Sequence, residues 1–222
     1  MEPKMKSKNS LNYKIAMTAL FSALSIVLAF TPLGYIQLGG AIVITLMHIP
    51  AILAALLGGI VPGVCVGLVF GLSSLIRTVM TGAAAGPFFL NPCVSVFPRM
   101  IFPLVASGVF FPLSKIRFLP KAVSAGIASA AATLFHTMIV MAAICFFYGD
   151  IFFPLVKNSI EKLGFSADGI SPFKNYLLVL FSTLITNGFF EIVAAVILVS
   201  SVFASLYLVE SKKSKISKID DE

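Results

Sequence analysis

The chain has 222 residues, 59% of them hydrophobic and 11% charged, with a net charge of +7 and a mean hydropathy of +1.03. No stretch is polar enough for a separate soluble domain. The lysines gather at the two ends and in one loop, which excludes a nucleic-acid surface and suits membrane topology. Residues 15–76 contain no Asp, Glu, Lys or Arg. A bilayer demands such a run, at ~20 apolar residues per crossing of a ~30 Å hydrocarbon core, whereas a soluble core does not. The sequence therefore predicts an all-α, polytopic membrane protein: a six-transmembrane-helix bundle.

Residues 1–12 form a basic N-terminus, 13–209 the membrane domain and 210–222 a charged tail. The first helix is expected from about Tyr13 to Phe30, ending before Pro32. Its apolar stretch is longer than the core of a cleaved signal and lacks a small-x-small cleavage site, so it is a retained span. The second helix covers about Ala41 to Leu57. Gly58-Gly-Ile-Val-Pro-Gly63 makes a tight turn, with Pro62 suited to the first position of a third helix reaching about Val79. The fourth helix follows Asn91-Pro92 and covers about Cys93 to Leu113. The fifth runs from about Lys121 to Phe147 and the sixth from about Phe173 to Leu208. These last two exceed the membrane thickness, which implies tilt or extension beyond lipid. Between them lies a connection of mixed charge, with a short surface helix expected from Phe152 to Leu163.

With six crossings, the N-terminal lysines, the Lys115, Arg117 and Lys121 cluster, and Lys212, Lys213, Lys215 and Lys218 share one side. The positive-inside rule makes that side, and with it both termini, cytoplasmic. No internal repeat is visible, which weighs against the inverted-repeat carriers. Cys65, Cys93 and Cys145 lie in apolar context without C-x-x-C spacing and read as small buried hydrophobes.

Gly59, Gly63, Gly67 and Gly71 recur at every fourth position and form a groove into which another helix can pack. Ala16, Ala19 and Ala23 give the first helix a small-residue face that is open either to internal packing or to another protein.

Ionisable residues inside spans are costly, and each is by default a functional hypothesis. Here they are His48, Arg77, Arg99, His136 and Glu191, with Asn187 one turn before Glu191 on the same face. At ~1.5 Å per residue most fall in the outer half of the membrane, which predicts a polar pocket opening outward. Two arginines suit a carboxylate or phosphate through bidentate bonding. Asn91, Gln37 and Asn187 are candidates for neutral hydrogen bonds, and Phe88, Phe89 and Phe97 for an apolar lining. Plainer readings compete: Arg77 snorkelling to headgroups, His48 as an interior histidine, and Glu191 pairing with His136 or an arginine as structural glue. No phosphate loop, H-E-x-x-H, clustered carboxylate pair or G-x-S-x-G occurs, so ATP hydrolysis and membrane-enzyme chemistry lack support.

Several segments together resemble the substrate-binding S components of energy-coupling factor (ECF) vitamin transporters. They are the basic N-terminus leading into Ala19-Leu-Phe-Ser-Ala23, and Ile44-Thr-Leu-Met-His-Ile-Pro50 with the glycine-rich stretch from Gly58 to Gly71. Val96-Phe-Pro-Arg-Met-Ile101 completes the set. The second and third are similar to the pantothenate-like branch. The resemblance implies a non-enzymatic subunit of the cell membrane that binds a micronutrient from outside. It also implies a membrane coupling subunit (T component) and two cytoplasmic ATPases as partners. Those partners use ATP, so this chain carries no cofactor and no metal. Docking would use Ala19 and Ala23, with Ala16 beside them. The paired arginines favour an acidic vitamin, pantothenate first, then folate or a flavin. The competing expectations are a self-sufficient proton-coupled permease working through Glu191 and His136, and a membrane enzyme or assembly factor.

Overall fold

The computed structural model describes residues 10–39, 42–81, 86–162 and 172–220. Helix α1 (Leu11–Phe30) starts at Ser10, whose hydroxyl accepts a hydrogen bond from the Tyr13 N–H at 3.3 Å. It stops at Thr31, because the residue before a proline disfavours helical geometry.

The expected second helix differs most. In place of one helix over 41–57, a single 3₁₀ turn (Pro32–Gly34) leads into an antiparallel hairpin, β1 (Tyr35–Gly39) and β2 (Ile42–Thr45). Only then does α2 (Ile49–Gly58) begin. The physical reason is local: Ile42, Val43, Ile44 and Thr45 are all β-branched, which costs rotamer freedom in a helix and suits a pleated strand. Tyr35 pairs with Thr45 and Ile36 with Ile44, and a bulge lies between Gln37 and Gly39. The all-α class holds, with one small two-stranded sheet among the described residues.

Helix α2 has 10 residues and spans ~15 Å, half of a hydrocarbon core. It is apolar all round and buried from Ile49 to Leu56, which makes it the hub of the bundle. Around it stand α1, α3 (Ile60–Thr81), α6 (Phe97–Leu113), α7 (Lys121–Lys162) and α9 (Phe189–Asp220). The turn from α2 into α3 passes through Gly59 at φ +97°, a conformation that side chains other than glycine's resist.

Two short helices, α4 (Gly86–Phe89) and α5 (Pro92–Ser95), precede α6, so the expected fourth helix is broken at Val96. Helix α7 is kinked at Tyr148 (φ −135°, ψ 20°). That is where the fifth helix was expected to end, and the segment expected as a separate surface helix continues α7 as far as Lys162. Leu163 lies outside the described residues. The sixth expected helix is one column in three parts: α8 (Pro172–Thr183), a π-helical turn (Leu184–Gly188) and α9, which stays helical through the charged tail to Asp220.

Among the described residues, five helical stretches are long and apolar enough to cross a membrane: Leu11–Phe30, Ile60–Thr81, Pro92–Leu113, Lys121–Pro154 and Phe189–Leu206. They expose apolar side chains such as Leu20, Val27, Val79 and Ile197 outward, as lipid-facing surfaces do. Cys65 and Cys93 are also exposed, contrary to the expectation of burial, and Cys145 is half-buried.

Apolar burial does not drive helix association in lipid, so close backbone approach has to. Gly63, Gly67 and Gly71 supply it. A Cβ at Gly63 would stand 2.5 Å from the Ala55 Cβ of α2, and one at Gly71 would stand 2.7 Å from the Val96 Cα. One at Gly67 would overlap the Arg99 carbonyl oxygen of α6. The glycine groove is thus filled from within, and it sets where Arg99 sits.

A candidate substrate cavity

Where α1 and α3 end and α6 and α9 begin, a cavity of about 550 Å³ opens between the helices. Small-molecule sites typically measure ~300–1,000 Å³. His48, Arg77, Arg99, His136, Asn187 and Glu191 all line it. Residues from α2, α3, α6, α7, the π turn and α9 thus converge at one level.

Arg99 is the best-buried cation, 5% exposed. Pro98 starts α6 beneath the break at Val96, and this turn folds the guanidinium back so that its Nη1 donates to the Val94 carbonyl at 2.7 Å. Its Cζ lies 5.3 Å from the Phe70 ring centroid and 5.2 Å from that of Phe89. Two aromatic faces attract the cation but leave its in-plane donors available. Nε has no hydrogen-bond partner, and among the described residues no carboxylate pairs with Arg99. A buried, uncompensated guanidinium is costly, and an anionic guest relieves that cost.

The two histidines form the floor. Their rings stack at 6.3 Å with 14° between planes, and His136 meets Phe102 edge-on at 4.9 Å. His48 caps the start of α2 instead of lying within a helix begun near Ala41, because the preceding residues form the hairpin. Both Nε2 atoms are buried without a partner.

Glu191 neither pairs with His136 nor meets an arginine. Its Oε1 accepts the Thr45 N–H at 2.9 Å, which ties α9 to the end of the hairpin. Arg77 does not simply snorkel: its Nη1 donates to the Ala29 carbonyl at 3.2 Å, and its guanidinium stacks 3.6 Å from the Tyr35 ring centroid.

Residues 13–203 match the family model for the ECF transporter, substrate-specific component. The chain belongs to that family. No curated protein matches it. It is thus a multi-pass membrane protein and a substrate-binding transport subunit.

Not every candidate of this S component reaches the cavity. Asn91 is the N-cap of α5 and accepts the Cys93 N–H at 2.9 Å, a structural role. The Asn-Pro pair is itself a capping signature, and this was readable in advance. Gln37 lies in β1. Phe89 faces Arg99, Phe88 instead packs on Tyr148 and Phe152, and Phe97 is exposed.

The lining also includes residues that sequence reasoning passed over: Tyr35, Thr45, Ser74, Thr78, Thr137 and Thr183. A signal existed for some of them. Ser74 and Thr78 are spaced i, i+4 on one face of α3 beside Arg77, and Thr137 adjoins His136. The π turn carrying Asn187 had a fainter trace, the Asn-Gly pair inside a long apolar helix. Such turns occur often at functional sites. The exposed side of α1 includes Ala16, Ala19 and Ala23, spaced along one face.

Proposed function

We propose that this S component captures an anionic vitamin or related micronutrient from outside the cell membrane, with pantothenate ranked first and folate or a flavin after it. The observation that carries the reading is Arg99: a buried guanidinium in a small-molecule-sized cavity, held by one backbone carbonyl and two aromatic faces. A carboxylate can occupy its remaining donors bidentately, and His48, His136 and Asn187 offer neutral polar contacts around it. The cavity lies at the opposite end of the bundle from the exposed Lys115, Arg117 and Lys121, so the positive-inside rule points it outward and puts both termini in the cytoplasm. In this reading the hairpin and α2 together make the second of six crossings.

Transport then requires a T component and two ATPases, which consume the ATP. Helix α1 docks on the T component through Ala16, Ala19 and Ala23. A self-sufficient proton-coupled permease is less favoured, because the carboxylate it would use is engaged with the Thr45 amide.

Reconstitution tests this. Radiolabelled pantothenate should bind the chain alone without accumulating in proteoliposomes, and should accumulate once the coupling module and ATP are added. Ala19→Trp and Ala23→Trp should keep binding yet cut uptake by about tenfold or more, since a bulky side chain bars close helix approach. Accumulation by the chain alone under a pH gradient would favour the permease. Normal uptake by both tryptophan variants would remove α1 as the docking face.

A further inference from the structure

We propose that a second concavity, between the ends of α1 and α3, is an access vestibule in which Arg77 captures the anionic group first, and that the Tyr35–Arg77 stack is the partition it passes to reach Arg99. The concavity measures about 740 Å³ and has apolar walls from Phe30, Pro32, Ile36 and Met80. It shares three residues with the substrate cavity: Tyr35, Arg77 and Thr81. The two spaces therefore meet at the stacked pair, whose 3.6 Å separation leaves no room for a solute between guanidinium and ring.

The chemistry of the pair fits a gate. Arg77 is half-buried where Arg99 is buried, so two cations stand in series from the surface inward. One Arg77 donor is engaged by the Ala29 carbonyl, and among the described residues no carboxylate neutralises it. A guanidinium has five donors, so an arriving anion can bind without breaking that anchor. Tyr35 opens β1, and rotation of its side chain alone takes the ring off the guanidinium without disturbing the strand pairing. Fixed positive charge at an opening of low polarity raises the local concentration of anions and their rate of entry.

The proposal rests on the reading of the inner cavity as an anion site, and its test does not need the natural substrate. In purified full-length protein with Cys65, Cys93 and Cys145 replaced by alanine, Thr137→Cys places a thiol in the inner cavity and Met80→Cys places one in the vestibule. The probes are two methanethiosulfonates, the anionic ethylsulfonate and the cationic ethyltrimethylammonium. The anion should label Thr137→Cys about tenfold faster than the cation, and Arg77→Gln should erase that preference. Tyr35→Ala should speed both reagents at Thr137→Cys and leave the Met80→Cys rates unchanged, which also shows that the fold persists. Thr137→Cys labelled at the same rates with and without Arg77→Gln and Tyr35→Ala would overturn the proposal, as would no labelling even in Tyr35→Ala. An anion preference that survives Arg77→Gln but vanishes in Arg99→Ala would also overturn it, while sustaining the inner cavity as the anion site.

Discussion

Arg99→Ala is expected to weaken binding of an anionic substrate by at least ~100-fold, which corresponds to about 2.7 kcal/mol. The expectation follows from what surrounds the guanidinium. It is 5% exposed, it lies between Phe70 and Phe89, and among the described residues it has no acidic partner. Losing one member of a buried, hydrogen-bonded charge pair typically costs ~2–5 kcal/mol, much of it because the other charge is left stranded. In Arg99→Ala the stranded charge would be the carboxylate of the substrate. Arg99→Lys should recover only part of the loss, because an ammonium keeps the charge and loses the planar fork. The substrate-free protein should behave differently. There the guanidinium is a burden, so Arg99→Met should melt no earlier than the parent in the absence of ligand. Ligand-dependent thermal shifts on the three variants measure both effects together. Equal shifts in parent and Arg99→Ala would remove Arg99 from the site.

Gly67→Ala should be strongly damaging for a single added methyl group. The added Cβ would overlap the Arg99 carbonyl oxygen and lie 3.3 Å from the Pro103 Cγ. The oxygen belongs to helix backbone and cannot swing aside, so α3 and α6 must separate. Overpacking of this kind costs roughly 1–3 kcal/mol, and more where the obstacle is rigid. The displaced segment carries Arg99, so substrate affinity should fall along with the melting temperature. Gly108→Ala is the internal control. It lies within α6, its Cβ would meet nothing within 4 Å, and helix propensity alone predicts a gain of up to ~1 kcal/mol. Similar melting temperatures for the two variants would contradict the α3–α6 contact described above.

Much of the cavity was legible because the chain is so poor in polar residues. With no Asp, Glu, Lys or Arg across residues 15–76, the few charged or strongly polar groups that do occur in the spans had few places to hide from lipid. Helix rise alone put most of His48, Arg77, Arg99, His136, Asn187 and Glu191 in the outer half of the membrane, with Glu191 deepest, and the structure brings all of them around one space. Their partners were not legible. The Glu191 contact is with the Thr45 amide, and no side-chain pattern announces a backbone donor. The hairpin escaped for a related reason: a short apolar run reads alike as buried helix or strand, and only the four β-branched residues at 42–45 argued for a strand. The π turn depends on one extra residue in a helix whose hydrophobic pattern stays continuous across it. The stack of Arg77 on Tyr35 joins residues from α3 and β1, so it could not be seen before the hairpin was.

The most direct test of the account is mass spectrometry of the small molecules released when gently purified protein is denatured, run side by side on the parent and on Arg99→Ala. The account predicts a single anionic species bearing a carboxylate or phosphate, near one per chain, from the parent and little or none from the variant. A neutral or cationic species, or equal yields from both proteins, would contradict it.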